Sequence, residues 1–143
     1  MKIYVAGASA EIEHIESIIA KLKAAGHTIT HDWTVDVRAA GDASPDDDGV
    51  RRRAALADLR GVVTSDLTWV RQPEGASTGA WVELGAAATM KEGGLPLERR
   101  PMLVVSGPSR RCIFSDLADH RFTRHEDALE FVLNLATEGK KEA

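Results

Sequence analysis

Along this chain, short apolar runs alternate with stretches of helical spacing, and that alternation constrains the fold more than any other feature. "KIYVAG" (residues 2–7) and "PMLVVSG" (residues 101–107) are almost continuously apolar. A strand with one wet face alternates apolar and polar residues. One without alternation is buried on both faces, as in parallel sheets covered by helices. "HTITHDW" (27–33), "DLTWV" (66–70) and a short "HRFTR" (120–124) supply three further strand patterns. Between the first two strands, residues 11–25 place Ile12, Ile15, Ile19 and Leu22 at helical spacing, and Gly26 stops the helix.

Residues 34–49 are acidic, carry Gly41 and Pro45, and read as a long functional loop. Asp46, Asp47 and Asp48 then stand at a helix start, where carboxylates complement the dipole. Val50, Ala54, Ala57 and Gly61 line one face of that helix. A further helix is predicted over residues 78–91. The last, over 125–138, buries Ala128, Phe131, Val132 and Leu135 and leaves a frayed tail at 139–143.

The expectation is a single α/β domain over residues 1–138: a doubly wound, flavodoxin-like, five-stranded parallel sheet of order 2-1-3-4-5 with helices on both faces. In that order, ligands sit at the carboxyl ends of strands 1 and 3. There the chain has "GAS", which contains Gly7 and Ser9, and "PEGASTG" (73–79), both poor in side chain and rich in hydroxyl.

Composition narrows the occupant of that crevice. A net charge of −4 without a basic stripe speaks against nucleic acid. No apolar run reaches the roughly 18 residues of a membrane span. Met1 leads straight into a strand with no basic leader, so no signal peptide is expected. A lone cysteine, Cys112, fits a reducing, cytoplasmic setting. The histidines are scattered, so no metal is expected. No G-x-G-x-x-G, P-loop or G-x-S-x-G is present, and no resident cofactor is expected. The first strand also lacks the acidic pair of a phosphoacceptor domain. What remains is a carboxylate.

That carboxylate is Glu83 in "GASTGAWVELG", whose helical neighbours Gly79, Ala80, Ala86 and Ala87 are all small. If Ser77 caps the helix, the N–H groups of Thr78 and Gly79 face the crevice and attract an anion. Glu83 follows Ser77 by six residues, roughly 9 Å along a helix axis. That matches the span from a nucleotide's phosphate to its anomeric carbon. A carboxylate there can attack C1′ and displace the base through a glycosyl ester. Asp58 in "ALADLRG" is the candidate to protonate the departing base or hold its ring. A glutamate on a helix is more often simply solvated, and the small neighbours are what argue otherwise.

"KIYVAG", "AGHTITHDW", "DLRGVVTSD" and "STGAWVELG" together resemble the nucleoside 2-deoxyribosyltransferase superfamily, which includes the 2′-deoxynucleoside 5′-monophosphate N-hydrolases. The likeness spans residues 2–105. It implies that Glu83 is the nucleophile, that Asp58 contacts the base, and that Tyr4 is a site tyrosine on strand 1. Ser77 stands where the nucleotide hydrolases bind phosphate and the transferases carry aspartate. The sequence departs at Ala8 and Ala10, where the hydrolases have serine and arginine. The resemblance also implies a homodimer or higher homo-oligomer whose site is completed by the neighbouring subunit, with His120 at about that place.

The leading expectation is an enzyme that cleaves a (deoxy)nucleoside 5′-monophosphate or nucleoside with water as acceptor. The alternatives are base exchange by a nucleoside 2-deoxyribosyltransferase, cleavage of NAD, and a non-catalytic nucleotide sensor. Trp33, at the end of strand 2, is a candidate base-stacking wall; Trp69 and Trp81 read as core. His31 and Asp32 fit either the pocket mouth or an ordinary strand end. Arg51, Arg52 and Arg53 read as a solvated helix face, Asp66 as structural, and "SGPSRR" (106–111) as a possible source of phosphate contacts.

Overall fold

The computed structural model describes residues 1–41, 48–108 and 112–135, with the backbone alone described at Asp48. Its five strands are β1 (Lys2–Ala6), β2 (Thr28–Ile29), β3 (Leu67–Arg71), β4 (Met102–Ser106) and β5 (His120–Phe122). All pair in parallel in the order β2-β1-β3-β4-β5. The helices are α1 (Ile12–Ala24), α2 (Trp33–Ala40), α3 (Asp48–Val63), α4 (Gly79–Glu92) and α5 (His125–Leu133). Helix α1 packs with α5, and α3 with α4; α2 bridges α1 and α3 beside the β2 edge.

The central strands explain the apolar runs. Every residue of β3 is buried, and β1 and β4 are buried from their second residue onward. Alternate residues feed the two helical layers. Tyr4 reaches Glu83 on α4, whereas Trp69 donates its indole N–H to Ser106 Oγ, which meets His125 Nδ1 of α5, both at 2.8 Å. At the opposite end, Asp66 aligns three strands. Its carboxylate accepts from the Lys2 N–H, its own N–H donates to the Lys2 carbonyl, and its carbonyl accepts from Met102, each at 2.8 Å.

Several expectations are corrected. Strand 2 is two residues long, and Trp33 opens a helix instead of ending a strand. Residues 33–40 of the expected loop are helical because Asp32 accepts from the Thr34 N–H at 3.1 Å and caps α2. Phe131 and Leu135 are only partly buried, and Val50 is exposed. Asp46, Asp47, the end of the loop, and residues 136–143 with the expected tail lie outside the described residues. Among those described, no helix is long and apolar enough to cross a membrane, and no metal-holding cluster of His, Cys, Asp or Glu is formed.

His27 has a measurable consequence for stability. It is 4% exposed, and burial holds its imidazole below the ordinary range, which favours the neutral ring. The unfolded chain binds the proton more readily. This contribution is therefore complete above the unfolded value near pH ~6.5 and is lost as pH falls through the depressed folded value. The urea midpoint is expected to drop between pH 7.5 and 5 in the wild type and to drop less in His27→Leu. Equal slopes for the two proteins would reject this assignment.

Candidate active site

At the carboxyl ends of β1 and β3 the chain forms a cleft of about 340 Å3, within the roughly 300–1,000 Å3 range of small-molecule sites. One wall is the loop after β1, with Gly7, Ala8, Ser9 and Ala10; the facing wall is Ala76, Ser77 and Thr78 with the first turn of α4. Trp33 and Val37 of α2 close one side, while Asp58 and Glu83 supply the carboxyl groups. A larger groove of about 690 Å3 runs between α2 and α3, but its lining is mostly alanine and valine and does not include Glu83.

The two walls are tied together behind the cleft. Arg71, at the end of β3 and 5% exposed, pairs with Glu11 beyond the β1 loop. The other oxygen of Glu11 accepts from the Glu74 N–H at 3.3 Å. This strap between the loops after β1 and β3 was not visible in the sequence, because Glu11 and Arg71 are sixty residues apart.

Glu83 is 8% exposed and accepts a hydrogen bond of 2.8 Å from the Tyr4 hydroxyl. The small neighbours divide into two roles. Ala80 and Ala87 are buried, which lets α4 lie close to the sheet, while a methyl group on Gly79 would meet nothing within 4 Å because that position opens on the cleft. Burial pushes the Glu83 carboxyl up to about 7, against the opposing pull of the Tyr4 hydrogen bond; the charge of Asp58 adds to the rise. Asp58 is also raised by burial, with His31 opposing, and it too hydrogen-bonds Tyr4. Burial and the two carboxylates hold the phenol far above its ordinary range, so it remains a donor.

A hydroxyl has one proton. If Tyr4 gives it to Glu83, Asp58 can hydrogen-bond the same oxygen only in its protonated form. The arrangement favours an anionic Glu83 beside an acidic Asp58, a division of roles seen where neighbouring carboxyls perform different work.

Gly61 permits this grouping. A Cβ there would lie 2.7 and 2.8 Å from the Tyr4 ring and 2.9 Å from His31 Cβ. The Thr30 hydroxyl donates to the Gly61 carbonyl at 2.7 Å and fastens the end of β2 to α3. Asp58, one turn earlier on α3, thereby meets Tyr4 on one side and His31 on the other.

Helix α4 begins one residue later than expected. Thr78 is its N-cap, makes no capping hydrogen bond with its side chain, and is preceded by Ser77. The N–H groups of the first turn therefore lack a side-chain acceptor where α4 meets the cleft. Trp33 lines the cleft, with its indole N–H donating to the Val5 carbonyl at 2.9 Å. Trp69 is fully buried and Trp81 partly so. Arg51, Arg52 and Arg53 are exposed. Ser106 is buried against Trp69 and His125, so it does not serve the cleft; the remaining expected contacts, at residues 109–111, lie outside the described residues.

His120 is not brought to this cleft. It opens β5 at the other end of the sheet, with its ring 4.4 Å from that of Phe131, and lines a separate depression beside Lys91 and Asp119. Within one chain, Glu83, Asp58, Tyr4, Gly7, Ser9, Trp33, Ser77, Thr78 and Gly79 converge, and His120 stands apart.

No protein-family model and no curated protein matches the chain. Among solved structures it is similar to a 2-deoxyribosyltransferase from Bacillus psychrosaccharolyticus, with a TM-score of 0.66 and 19% identity over 95% of this chain and 93% of that one. The fold is thus that of a 2-deoxyribosyltransferase, in agreement with the sheet order and the resemblance read from the motifs.

Proposed function

We propose that the protein breaks the N-glycosidic bond of a nucleoside or nucleotide, carries the (deoxy)ribosyl group on Glu83, and passes it to a second nucleobase. The observation that carries this reading is the buried Glu83 carboxyl in the cleft, hydrogen-bonded to Tyr4, with the acid Asp58 on the same hydroxyl. A Glu83 oxygen attacks C1′ as the C1′–N bond breaks, and the bonding electrons leave with the base. Asp58 gives that base its proton. An incoming base then attacks C1′, expels the Glu83 carboxylate and returns a proton to Asp58.

Base exchange leads because the fold is shared with a 2-deoxyribosyltransferase. A specific observation favours a second reading, hydrolysis of a 5′-monophosphate. Ser77 sits beside the uncapped start of α4, where a hydroxyl and free N–H groups suit a phosphate. A second copy of the chain completes the site in either case, which is where the separated His120 finds a use.

The test is chromatographic detection of free base from deoxynucleosides, from ribo- and deoxynucleoside 5′-monophosphates, and from NAD. Each is run with and without an added second base, for the wild type and Glu83→Ala. Base exchange, lost in the variant, supports the transferase. Release only from monophosphates and only to water supports the second reading. Nicotinamide release alone makes the protein an NAD glycohydrolase, and binding without any release makes it a sensor.

A pH profile follows from the raised Glu83 carboxyl. With nicotinamide riboside, whose base departs without taking up a proton, only the nucleophile must change charge. Its kcat/KM is expected to climb as pH rises through about 7, where Glu83 ionises. The Tyr4 hydrogen bond lowers that value, so Tyr4→Phe is expected to move the limb to higher pH. A limb that stays in place or moves down in Tyr4→Phe would reject the assigned role of the phenol.

A further inference from the structure

We propose that His31 is a positioning residue for Asp58: its Nε2 holds the Asp58 carboxyl and stabilises the carboxylate that remains once the proton has gone to the leaving base. This rests on the acid role given to Asp58 above. The geometry is a chain of three side chains from three elements. His31, just beyond β2, places Nε2 3.4 Å from Asp58 Oδ1 on α3 and 3.1 Å from Asp36 Oδ2 on α2. Asp58 Oδ1 is buried and has no closer hydrogen-bond partner, so the imidazole is the group that faces it. Asp36 is more than half exposed and sits beyond His31, where it orients the ring and favours its charged form.

The position of the ring is built into the fold. The Thr30 hydroxyl is fixed to Gly61, and the missing side chain of Gly61 makes room for His31 Cβ. The charged and titratable groups around this chain are Asp36 from α2, Asp58 and Arg53 from α3, and Tyr4 from β1. Lys23 of α1 faces Asp32 at 4.0 Å. When Asp58 gives up its proton, negative charge appears on a carboxyl bordered by Tyr4 and, through Tyr4, by Glu83. Histidine changes charge in the neutral range and is suited to offset that charge without a permanent ion pair. The electron count is that of simple proton transfer: Asp58 loses H+ to the base nitrogen, His31 keeps its own proton, and the second step restores Asp58.

The test compares two leaving groups in the full-length protein. A purine or pyrimidine nucleoside requires protonation of its base; nicotinamide riboside does not. His31→Ala is expected to lower kcat/KM for the first by about 10- to 100-fold, with nicotinamide release within about twofold of wild type. His31→Gln, which keeps an N–H near the Nε2 position, is expected to recover part of the loss. An equal fall with both leaving groups, or no fall with either, overturns the proposal. Should the wild type release no base at all, the proposed function fails first, and a binding measurement still decides the contact. The Asp58 carboxyl, followed by 13C NMR, is expected to titrate at higher pH in His31→Ala, since His31 opposes its rise. An unmoved Asp58 titration overturns the contact independently of turnover.

Discussion

Glu83→Gln is expected to reduce base release by about ten-thousandfold or more, the scale on which removal of a catalytic nucleophile is felt. The amide keeps the shape of the carboxyl, and its oxygen can still accept from Tyr4, so the 2.8 Å hydrogen bond has a replacement. What it lacks is the negative charge that attacks C1′. Because burial already holds the native carboxyl at about 7, the uncharged variant gives up little folding energy. Its thermal midpoint is therefore expected to equal or exceed that of the wild type. Rate loss without stability loss separates a nucleophile from a buried structural acid. Intact-mass measurement on a slow 2′-fluorinated substrate provides the complementary reading, with a glycosyl adduct on the wild type and none on Glu83→Gln. Retention of more than a hundredth of the wild-type rate by the variant would remove Glu83 from the nucleophilic role.

The parts of this molecule that were legible in the sequence are those fixed by burial on two faces. "KIYVAG" and "PMLVVSG" announce central parallel strands because every position there must be apolar, and the sheet order follows from strand-helix alternation. The cleft was legible for the same reason: order 2-1-3-4-5 places the ends of β1 and β3 together, and "STGAWVELG" supplies the carboxyl. Helix α2 was misread because Ile29, His31, Trp33, Val35 and Val37 fall at every second position, which imitates a strand. Val35 is in fact 61% exposed, and the local cap on Asp32 outweighs the alternation. The start of α4 was misplaced by one residue, since Ser77 and Thr78 are equally good caps on paper. The contacts that tune the acids, His31 with Asp58 and Arg71 with Glu11, depend on the meeting of distant segments. No spacing rule encodes them.

Gly61→Ala tests whether the close approach of α3 is what assembles the acid pair. In an exposed helix interior this exchange favours folding by about 1 kcal/mol. Here the new methyl group would sit 2.7 Å from the Tyr4 ring and 2.9 Å from His31 Cβ, closer than carbon atoms tolerate. Neither neighbour can swing away freely, because Tyr4 is fully buried and Thr30 ties the β2 end to the Gly61 carbonyl. Overpacking of this kind costs about 1–3 kcal/mol, so the net change is expected to be destabilising despite the better helix former. The larger effect falls on activity. Moving Tyr4 or Asp58 by about 1 Å from the reacting carbon costs on the order of a hundredfold in rate. Gly85 lies on α4, and a methyl group there would meet nothing within 4 Å. Gly85→Ala is thus the control, with stability expected to hold or rise by about 0.4–1 kcal/mol. Thermal unfolding and kcat/KM for both variants decide the matter. A Gly61→Ala protein as stable and as active as the wild type would show that α3 has room to spare, and that the grouping of Tyr4, Asp58 and His31 does not depend on the missing side chain.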